Sequence, residues 1–315
     1  IAVTKTPVFS VISHVWAKCL KNFRALWADI QKVRLQLYAT GKIYGQQSIS
    51  ADSTISTATI LPSASNGMHL SEKKVFRATL FQWKMIYITG DTHRNFSRLQ
   101  QSNINIGDTL IILGDSCFNY FFDKQDTNLK KMMNCFGITY FCIQGNNEER
   151  AENIQSYKEK EMFGGKVYVE DEYPNIVFAK SGELYNIDGK SVLVVGGAYS
   201  IDKDFKLSVG APWFQSEQLT KEEKENILNK YKGMHIDVIL THTCPKKYEP
   251  TEAFNKNIDQ TKVNKSMEEF LDVLEESIDY DEWYCGHYHI EKDIDKIKFM
   301  HKSIIEFNKK MSKSK

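Results

Sequence analysis

Short apolar runs alternate with amphipathic segments over the C-terminal three quarters of the chain, and this alternation predicts strands and helices in turn. The run at 108–113 is continuously apolar from Leu110 onward, as is typical of a strand covered on both faces of its sheet. Two extended runs, 176–187 and 190–198, flank Asp188-Gly189, which is a strong hairpin signal. Further strands are expected at 85–89, 139–143, 237–240 and 282–285 and within 296–307, and helices at 128–136, 220–233 and 266–278. The alternation with a central hairpin favours an α/β sandwich.

The predicted helices carry recognisable start and stop signals. Thr220 and Ser266 are each followed three residues later by a glutamate, which is the spacing of a capping box at a helix N-terminus. Gly137 is expected to end the helix at 128–136, because glycine adopts the left-handed conformation that follows many helices.

Residues 1–84 follow a different pattern. Apolar residues recur at helical spacing over 15–38 with basic residues between them, which predicts a basic amphipathic helix. Such a helix could lie on a membrane or a partner, pack on the body of the protein, or belong to a segment with no native fold. Residues 48–66 are rich in Ser, Thr and Ala and are typical of a flexible linker.

The charge distribution supports a division at the same place. Residues 1–84 contain 11 Lys and Arg against 3 Asp and Glu, whereas the remainder contains 30 against 37. We therefore expect 1–84 to be an N-terminal extension, a fusion or upstream read-through, and the functional domain to span 85–309. Residues 310–315 are expected to be a disordered tail.

Composition excludes some classes of protein. Apolar residues make up 42% of the 315, enough for a substantial core, but no run of 18 or more of them is present, so a transmembrane helix is not expected. The six cysteines form no C-x-x-C pair, which argues against a zinc ribbon or a dithiol redox site. A reduced, cytoplasmic setting is the simplest interpretation.

Five short blocks carry the candidate chemistry, because each follows an apolar run and ends in Asp, Asn, Glu or His. They are 90–93, 114–115, 145–148, 241–242 and 286–289. Carboxylate and amide oxygens and imidazole nitrogens are ligands for hard and borderline divalent metals. Seven side chains qualify: Asp91, His93, Asp115, Asn146, His242, His287 and His289. A pair of metals that share one carboxylate needs about this many ligands.

Two local features are expected to make these side chains converge. Asp91 and His93 are two residues apart, as are His287 and His289, so in an extended chain each pair points the same way. A glycine stands beside the ligands in four of the blocks, at Gly90, Gly114, Gly145 and Gly286. Glycine lets the backbone turn tightly and approach a metal closely.

In order, spacing and residue type, the blocks resemble the calcineurin-like metallophosphoesterase superfamily, of bacterial or phage type. Its pattern is D-x-H, then G-D, G-N-H-D/E, H and G-H-x-H. The resemblance implies a four-layer α/β/β/α sandwich of two mixed β-sheets flanked by helices. It also implies two divalent metal ions, Mn, Fe, Zn or Mg. One would be held by Asp91, His93, Asp115 and His289 and the other by Asp115, Asn146, His242 and His287, with Asp115 bridging.

The sequence departs from the family pattern beside the ligands. Asn147 stands where many relatives have a His that protonates the leaving group, and an amide donates a hydrogen bond but no proton. Arg94 follows His93 where Gly is common; its guanidinium could clamp phosphate oxygens or pair with a nearby carboxylate. Glu148 and Arg150 could form a pair that orients Asn146, or a solvated surface pair.

The resemblance implies hydrolysis of phosphate esters by a hydroxide that bridges the metals, in the manner of a phosphomonoesterase or protein phosphatase. The expected partner is a phosphorylated small molecule or a phosphoprotein. A nucleotide or nucleic-acid phosphodiesterase is the first alternative, which the acidic balance of 85–315 disfavours. A metal-binding, weakly catalytic binding module, lacking the usual His at Asn147, is the second.

Overall fold

The computed structural model describes residues 57–59, 77–79 and 84–307, and the chain divides into two compact units, Ile1–Trp83 and Lys84–Lys315. In the first unit, β1 (Thr57–Thr59) pairs antiparallel with β2 (Arg77–Thr79). Strand β1 falls within the segment where a linker was expected. The predicted basic helix, the rest of that linker and the predicted tail lie outside the described residues.

The described part of the second unit, 84–307, contains two mixed sheets. Its strands are β3 (Ile86–Thr89), β4 (Thr109–Ile112), β5 (Thr139–Cys142), β6 (Tyr157–Met162), β7 (Gly165–Glu170), β8 (Ile176–Ala179), β9 (Glu183–Ile187), β10 (Lys190–Val195), β11 (His235–Thr241), β12 (Asp279–Cys285), β13 (Lys292–Ile294), β14 (Ile297–Phe299) and β15 (Ile304–Glu306). The first sheet has the order β15-β3-β4-β5-β8-β7-β6 and the second β13-β14-β12-β11-β10-β9. Strands β3, β4, β5 and β8 are parallel, as are β10, β11, β12 and β14, with antiparallel strands at the edges.

Helices flank both sheets. They are α1 (Lys124–Asn134), α2 (Lys203–Val209), α3 (Lys221–Tyr231) and α4 (Ser266–Ser277), with 3₁₀ turns at Ser97–Gln101, Ala151–Asn153, Lys246–Tyr248, Thr251–Ala253 and Gln260–Lys262. Alternate strand residues separate into different cores, as the two-residue period of a strand requires. Ile111 of β4 joins the core between the sheets, while its neighbour Leu110 joins the outer core with Met133 of α1. Likewise Leu271 of α4 packs in the outer core of the second sheet. The predicted four-layer α/β/β/α sandwich of two mixed sheets is confirmed.

Two helices begin differently from the sequence expectation, because another residue caps their first turn. Helix α1 begins at Lys124 because the carboxylate of Asp123 accepts a hydrogen bond from Gln125 N at 2.7 Å and caps the helix. The capping box at Thr220 is confirmed. The one predicted at Ser266 is wrong, because Ser266 is already helical and its N–H donates to Asn264 Oδ1 at 3.0 Å.

Several elements were not predicted, among them strands β6, β7 and β13 and helix α2. Helix α2 is only seven residues long, too short for a helical period to stand out. Strand β6, in the hairpin with β7, is largely exposed along its length and shows no apolar alternation. Strand β6 is the edge strand of its sheet, and α2 contributes to the site described next.

The fold brings the five blocks to one edge of the sandwich. Blocks 90–93, 114–115 and 145–148 follow the carboxyl ends of β3, β4 and β5 in the first sheet. Blocks 241–242 and 286–289 lie at the carboxyl ends of β11 and β12 in the second sheet. Since the carboxyl ends of neighbouring parallel strands meet at the same edge, the blocks become neighbours in space.

Candidate metal centre

Backbone hydrogen bonds join the blocks to one another. The N–H of His93 donates to the carbonyl of Asp115 at 2.8 Å, which ties the first block to the second. The N–H of Gly286 donates to the carbonyl of His242 at 2.9 Å, which ties the fifth to the fourth. The N–H of His287 donates to Asp91 Oδ1 at 2.8 Å and so links the two sheets. The side chains of the blocks are thereby held in a fixed relation.

One group of predicted ligands surrounds the carboxylate of Asp91. The Nε2 atoms of His289 and His93 lie 3.3 and 3.6 Å from Asp91 Oδ2 and only 2.9 Å from each other. Asp91 Oδ2 is buried and has no hydrogen-bond partner. A buried oxygen without a partner is costly, and this one faces two imidazole nitrogens. A divalent cation would satisfy all three atoms, so the residues fit a metal.

A second group shares the carboxylate of Asp115 with the first. Asp115 Oδ2 lies 3.6 Å from Nε2 of His93, and Asp115 Oδ1 lies 3.6 Å from Nε2 of His242. The same nitrogen of His242 lies 3.0 Å from Asn146 Oδ1, and the ring of His287 packs edge-on against His242 at 4.9 Å. Each oxygen of Asp115 thus faces a different histidine, which is the arrangement expected of a bridging carboxylate.

Hydrogen bonds behind the cluster orient its side chains. The carbonyl of Leu113 lies 2.8 Å from Nδ1 of His242 and can only accept, so Nδ1 carries the proton and the lone pair of Nε2 faces Asp115. The amide of Asn146 donates from Nδ2 to Ser200 Oγ at 2.9 Å, which turns Asn146 Oδ1 toward His242. Both residues therefore present their metal-binding atoms to the same point.

The electrostatics of the cluster also suit a cation. Burial alone would raise the pKa of Asp91, but the imidazoles of His242, His289 and His93 hold it well below its usual range. Burial and the neighbouring His242 lower the pKa of His287 to about 3, so its imidazole is neutral. For His93, burial lowers the pKa and the carboxylates of Asp91 and Asp115 more than reverse this, so it is raised. Asp91 is therefore ionised and His287 neutral, the states in which these groups bind a borderline divalent metal, whereas a protonated His93 would release its proton on binding one.

The glycines of the blocks allow close approach, as expected. A Cβ atom at Gly114 would overlap the imidazole of His242, and one at Gly145 would overlap Asp115. A Cβ atom at Gly286 would overlap the carboxylate of Asp91, and one at Gly90 would overlap the backbone of Met300. Three of the four thus make room for a predicted ligand.

The expectation that these blocks run as extended chain is wrong. His93, Asp115, His287 and His289 all have positive φ, between 43° and 66°, and so lie in the left-handed region. This region is uncommon for residues other than glycine and is often found at functional sites. Tight turns, rather than strand alternation, bring Asp91 and His93 together and direct His287 to His242 and His289 to Asp91.

The structure places Asn147 against the shared carboxylate. Its backbone N–H donates to Asp115 Oδ1 at 2.8 Å and its Nδ2 donates to Asp115 Oδ2 at 2.6 Å. The Oδ1 atom of Asn147 accepts a hydrogen bond from Nζ of Lys206 in α2. Arg94 forms an ion pair with Asp126 and donates to the carbonyl of Cys117 at 2.8 Å, the second of the two roles its sequence position allowed.

The expected partnership of Glu148 and Arg150 is wrong. Glu148 is fully buried, its carboxylate accepts from the hydroxyl of Ser116, and burial raises its pKa to about 7. Arg150 pairs with Glu223 at 2.9 Å. The third block is therefore fastened to the second through Glu148 and Ser116, and Arg150 fastens it to α3.

Sequence reasoning missed three contributors to the cluster. Lys206 contacts Asn147, as described, and Arg98 donates from Nη2 to the carbonyl of Asp91 at 2.6 Å. His301, which the sequence did not distinguish from a surface or core residue, stacks on His289 with ring centroids 4.7 Å apart. None of these lies in a block, and only their position in the fold identifies them.

A profile of the family described as calcineurin-like phosphoesterase matches residues 84–291, about two thirds of the chain. This chain belongs to that family. The match spans all five blocks and begins where the second compact unit begins. No curated protein matches the chain.

Membership in the calcineurin-like phosphoesterases confirms the resemblance found from the sequence. Hydrolysis of phosphate esters with the help of metal ions is the activity of this family, and its members typically use two divalent ions. Among the described residues, no helix is both long enough and apolar enough to cross a bilayer.

Proposed function

We propose that this protein hydrolyses phosphomonoesters at a centre of two divalent ions. One ion would be held by Asp91, His93, Asp115 and His289, and the other by Asp115, Asn146, His242 and His287. The observation that carries the proposal is the position of Asp115, whose two oxygens each lie 3.6 Å from a different histidine. The unpartnered Oδ2 of Asp91 supports the same arrangement.

Ions bound there would bind phosphoryl oxygens and lower the pKa of a water molecule that they share. The chain's own residues supply binding and orientation. The side chains of His93 and His289 are 39% and 47% exposed, whereas that of His242 is fully buried, so the phosphate is expected to enter over the first two. Asn147, which lies against Asp115, would then donate a hydrogen bond to the phosphate.

The substrate class follows from the hydrogen bonds that Asn147 makes. An amide stabilises charge on a leaving oxygen but supplies no proton, and a missing general acid costs about 10²–10⁴-fold in rate. This cost is smallest for an acidic leaving group, such as an aryl alcohol or an acyl group. We therefore expect phosphorylated small molecules, or phosphotyrosine rather than phosphoserine in a protein, to be the better substrates.

The metal we propose is manganese, iron, zinc or magnesium, because mixed oxygen and imidazole donors favour such ions over calcium. A cytoplasmic location is supported by the five cysteines of the described residues, which are all unpaired thiols. The excess of acidic residues over 85–315 disfavours a nucleic-acid substrate.

Metal binding is tested by elemental analysis of the wild-type protein and of two histidine variants. His242→Ala removes a predicted ligand just after β11. His235→Ala tests the alternative site on the same strand, because the exposed His235 lies with Asp237 and Asp281 in a second group that could hold an ion. We expect two ions per chain in the wild type and in His235→Ala, and one or none in His242→Ala. Equal metal content in all three proteins would contradict the proposed ligand set.

Activity is tested on an aryl phosphate and on the matching diaryl phosphate, with manganese added to metal-stripped protein. Turnover of the monoester, abolished by chelation, is the expected result. Turnover of the diester alone would replace the proposal with a phosphodiesterase. No turnover of either substrate by protein holding two ions would replace it with a binding module.

A further inference from the structure

Lys206 is buried in a helix whose apolar residues face solvent. Its side chain is 7% exposed, whereas its neighbours Phe205 and Leu207 are 65% and 54% exposed as residues. Lysine is among the residues least often buried, and usually only with a partner. Helix α2 is therefore oriented so that the ammonium of Lys206 is buried while two apolar side chains are exposed. The contacts of the ammonium indicate its role.

The ammonium contacts the residue that departs from the family pattern. Nζ donates to Asn147 Oδ1 and lies 2.9 Å from Asp202 Oδ1. Asn147 in turn donates from Nδ2 to Asp115 Oδ2 at 2.6 Å. One amide therefore separates the ammonium of Lys206 from the carboxylate that both metal groups share.

These contacts determine which way the Asn147 amide points. An ammonium is a donor only, and an ionised carboxylate is an acceptor only. With Lys206 on one side and Asp115 on the other, the amide oxygen must face the lysine and the NH₂ group must face the cluster. Without Lys206, only the contacts with Asp115 would hold the amide, and its NH₂ group would be less firmly fixed toward the phosphate site.

From this geometry we infer that Lys206 is a positioning residue for Asn147. It holds the amide with its NH₂ group toward the phosphate site and adds a fixed positive charge one hydrogen bond away. This inference rests on the proposed function, because it assigns to the pair Lys206–Asn147 the stabilisation of the leaving oxygen that a histidine provides in many relatives.

The first test needs no activity. Protein labelled with ¹⁵N in asparagine gives side-chain NH₂ signals, and that of Asn147 is assigned by its loss in Asn147→Ala. We expect Lys206→Met to shift this signal, Lys206→Arg to leave it near its wild-type position, and Lys203→Met to have no effect. Lys203 is the matched control because it lies in the same helix and its ammonium stacks 4.1 Å from the ring of Trp213.

The second test uses the metal-loaded enzyme and an aryl phosphate. Lys206→Met should lower kcat about tenfold to a hundredfold, as misplacement of a group at the reacting centre does, with little change in KM or metal content. In an Asn147→Ala background the same substitution should have less than a twofold effect, since the residue it positions is gone. Asp202→Asn, which removes only the other partner of the ammonium, should leave kcat close to that of the wild type.

The outcomes separate the inference from the proposed function. A wild-type protein with no phosphatase activity refutes the function, and the NMR comparison still decides whether Lys206 orients Asn147. The inference is overturned if the NH₂ signal of Asn147 does not shift in folded Lys206→Met. It is also overturned if the kcat losses of Lys206→Met and Asn147→Ala multiply in the double variant. Should Lys206→Met not fold, Lys206→Gln, which can still donate to the amide, takes its place with the same expected direction and a smaller kcat loss.

Discussion

Alanine at Gly114 should damage one half of the metal centre and leave the fold in place. Gly114 has a φ of +94°, and a Cβ atom there would overlap the buried ring of His242. Gly164, in the turn between β6 and β7, has a φ of +74° and nothing within 4 Å of a Cβ atom. Gly164→Ala therefore carries the backbone strain without the overlap and is the matched control.

The two costs can be estimated separately. A residue with a Cβ atom in the left-handed region costs about 1–2 kcal/mol, and Gly164→Ala should lose that amount. In Gly114→Ala the imidazole must also move, which breaks the 2.8 Å hydrogen bond between His242 Nδ1 and the carbonyl of Leu113. A buried acceptor left without its donor costs about 1–3 kcal/mol more. The total of about 2–5 kcal/mol is within the stability of an ordinary domain.

Urea unfolding of the chelated proteins measures these free energies, and elemental analysis measures metal content. We expect two ions per chain in Gly164→Ala and one in Gly114→Ala, because the moved ring no longer reaches Asp115 and Asn146. A double variant, Gly114→Ala with His242→Ala, decides the cause. If the overlap is responsible, the cost of alanine at position 114 falls to about 1–2 kcal/mol once the ring is gone. An unchanged cost in that background would refute the reasoning.

Three further predictions concern the shared carboxylate, a buried acid and the N-terminal unit. Asp115→Asn should remove both ions and lower kcat by at least about a hundredfold, whereas Asp171→Asn, a control with a 56% exposed side chain, should change neither metal content nor kcat. Burial raises the pKa of Glu268 above 4.5, so the neutral acid is favoured in the fold at low pH, and stability is lost as pH rises through the raised value. Urea titrations should therefore show Glu268→Gln gaining stability relative to the wild type between pH 5 and pH 8. A difference in unfolding free energy that stays constant over this range would contradict the prediction. Deletion of residues 1–84 should leave a folded domain with unchanged metal content and kcat, and an insoluble or inactive product would show that the unit is required.

The sequence contained enough information for the fold and for the predicted ligands because both depend on local patterns. Each strand that leads into a block contains a short buried apolar or aromatic stretch before the block, and the residues after it are of the types that bind metals. Their convergence then follows from the parallel order of the strands. The backbone conformation was less predictable. A positive φ can be expected from sequence where a glycine stands, but His93 and His289 adopt it without being glycine.

The supporting residues were missed because their contacts are long-range. Lys206 reaches Asn147 across 59 positions of sequence, and His301 stacks on His289 from beyond the last block. Lys206 also lies in a short helix with apolar neighbours, a context in which a lysine is expected to face solvent. Ser266 shows the opposite difficulty: its spacing to Glu269 fits a capping box, but Asn264, two residues earlier, already bonds the first N–H of the helix.

The predicted ligands come from both sheets of the sandwich, with Asp91, His93, Asp115 and Asn146 on the first and the three remaining histidines on the second. A cation held by such a set can be captured only after the two halves have docked, so its affinity includes the free energy of bringing them together. Cations at this edge would hold the two sheets together. They would raise the midpoint of thermal unfolding in proportion to the logarithm of their free concentration. Their release would be an early step in unfolding.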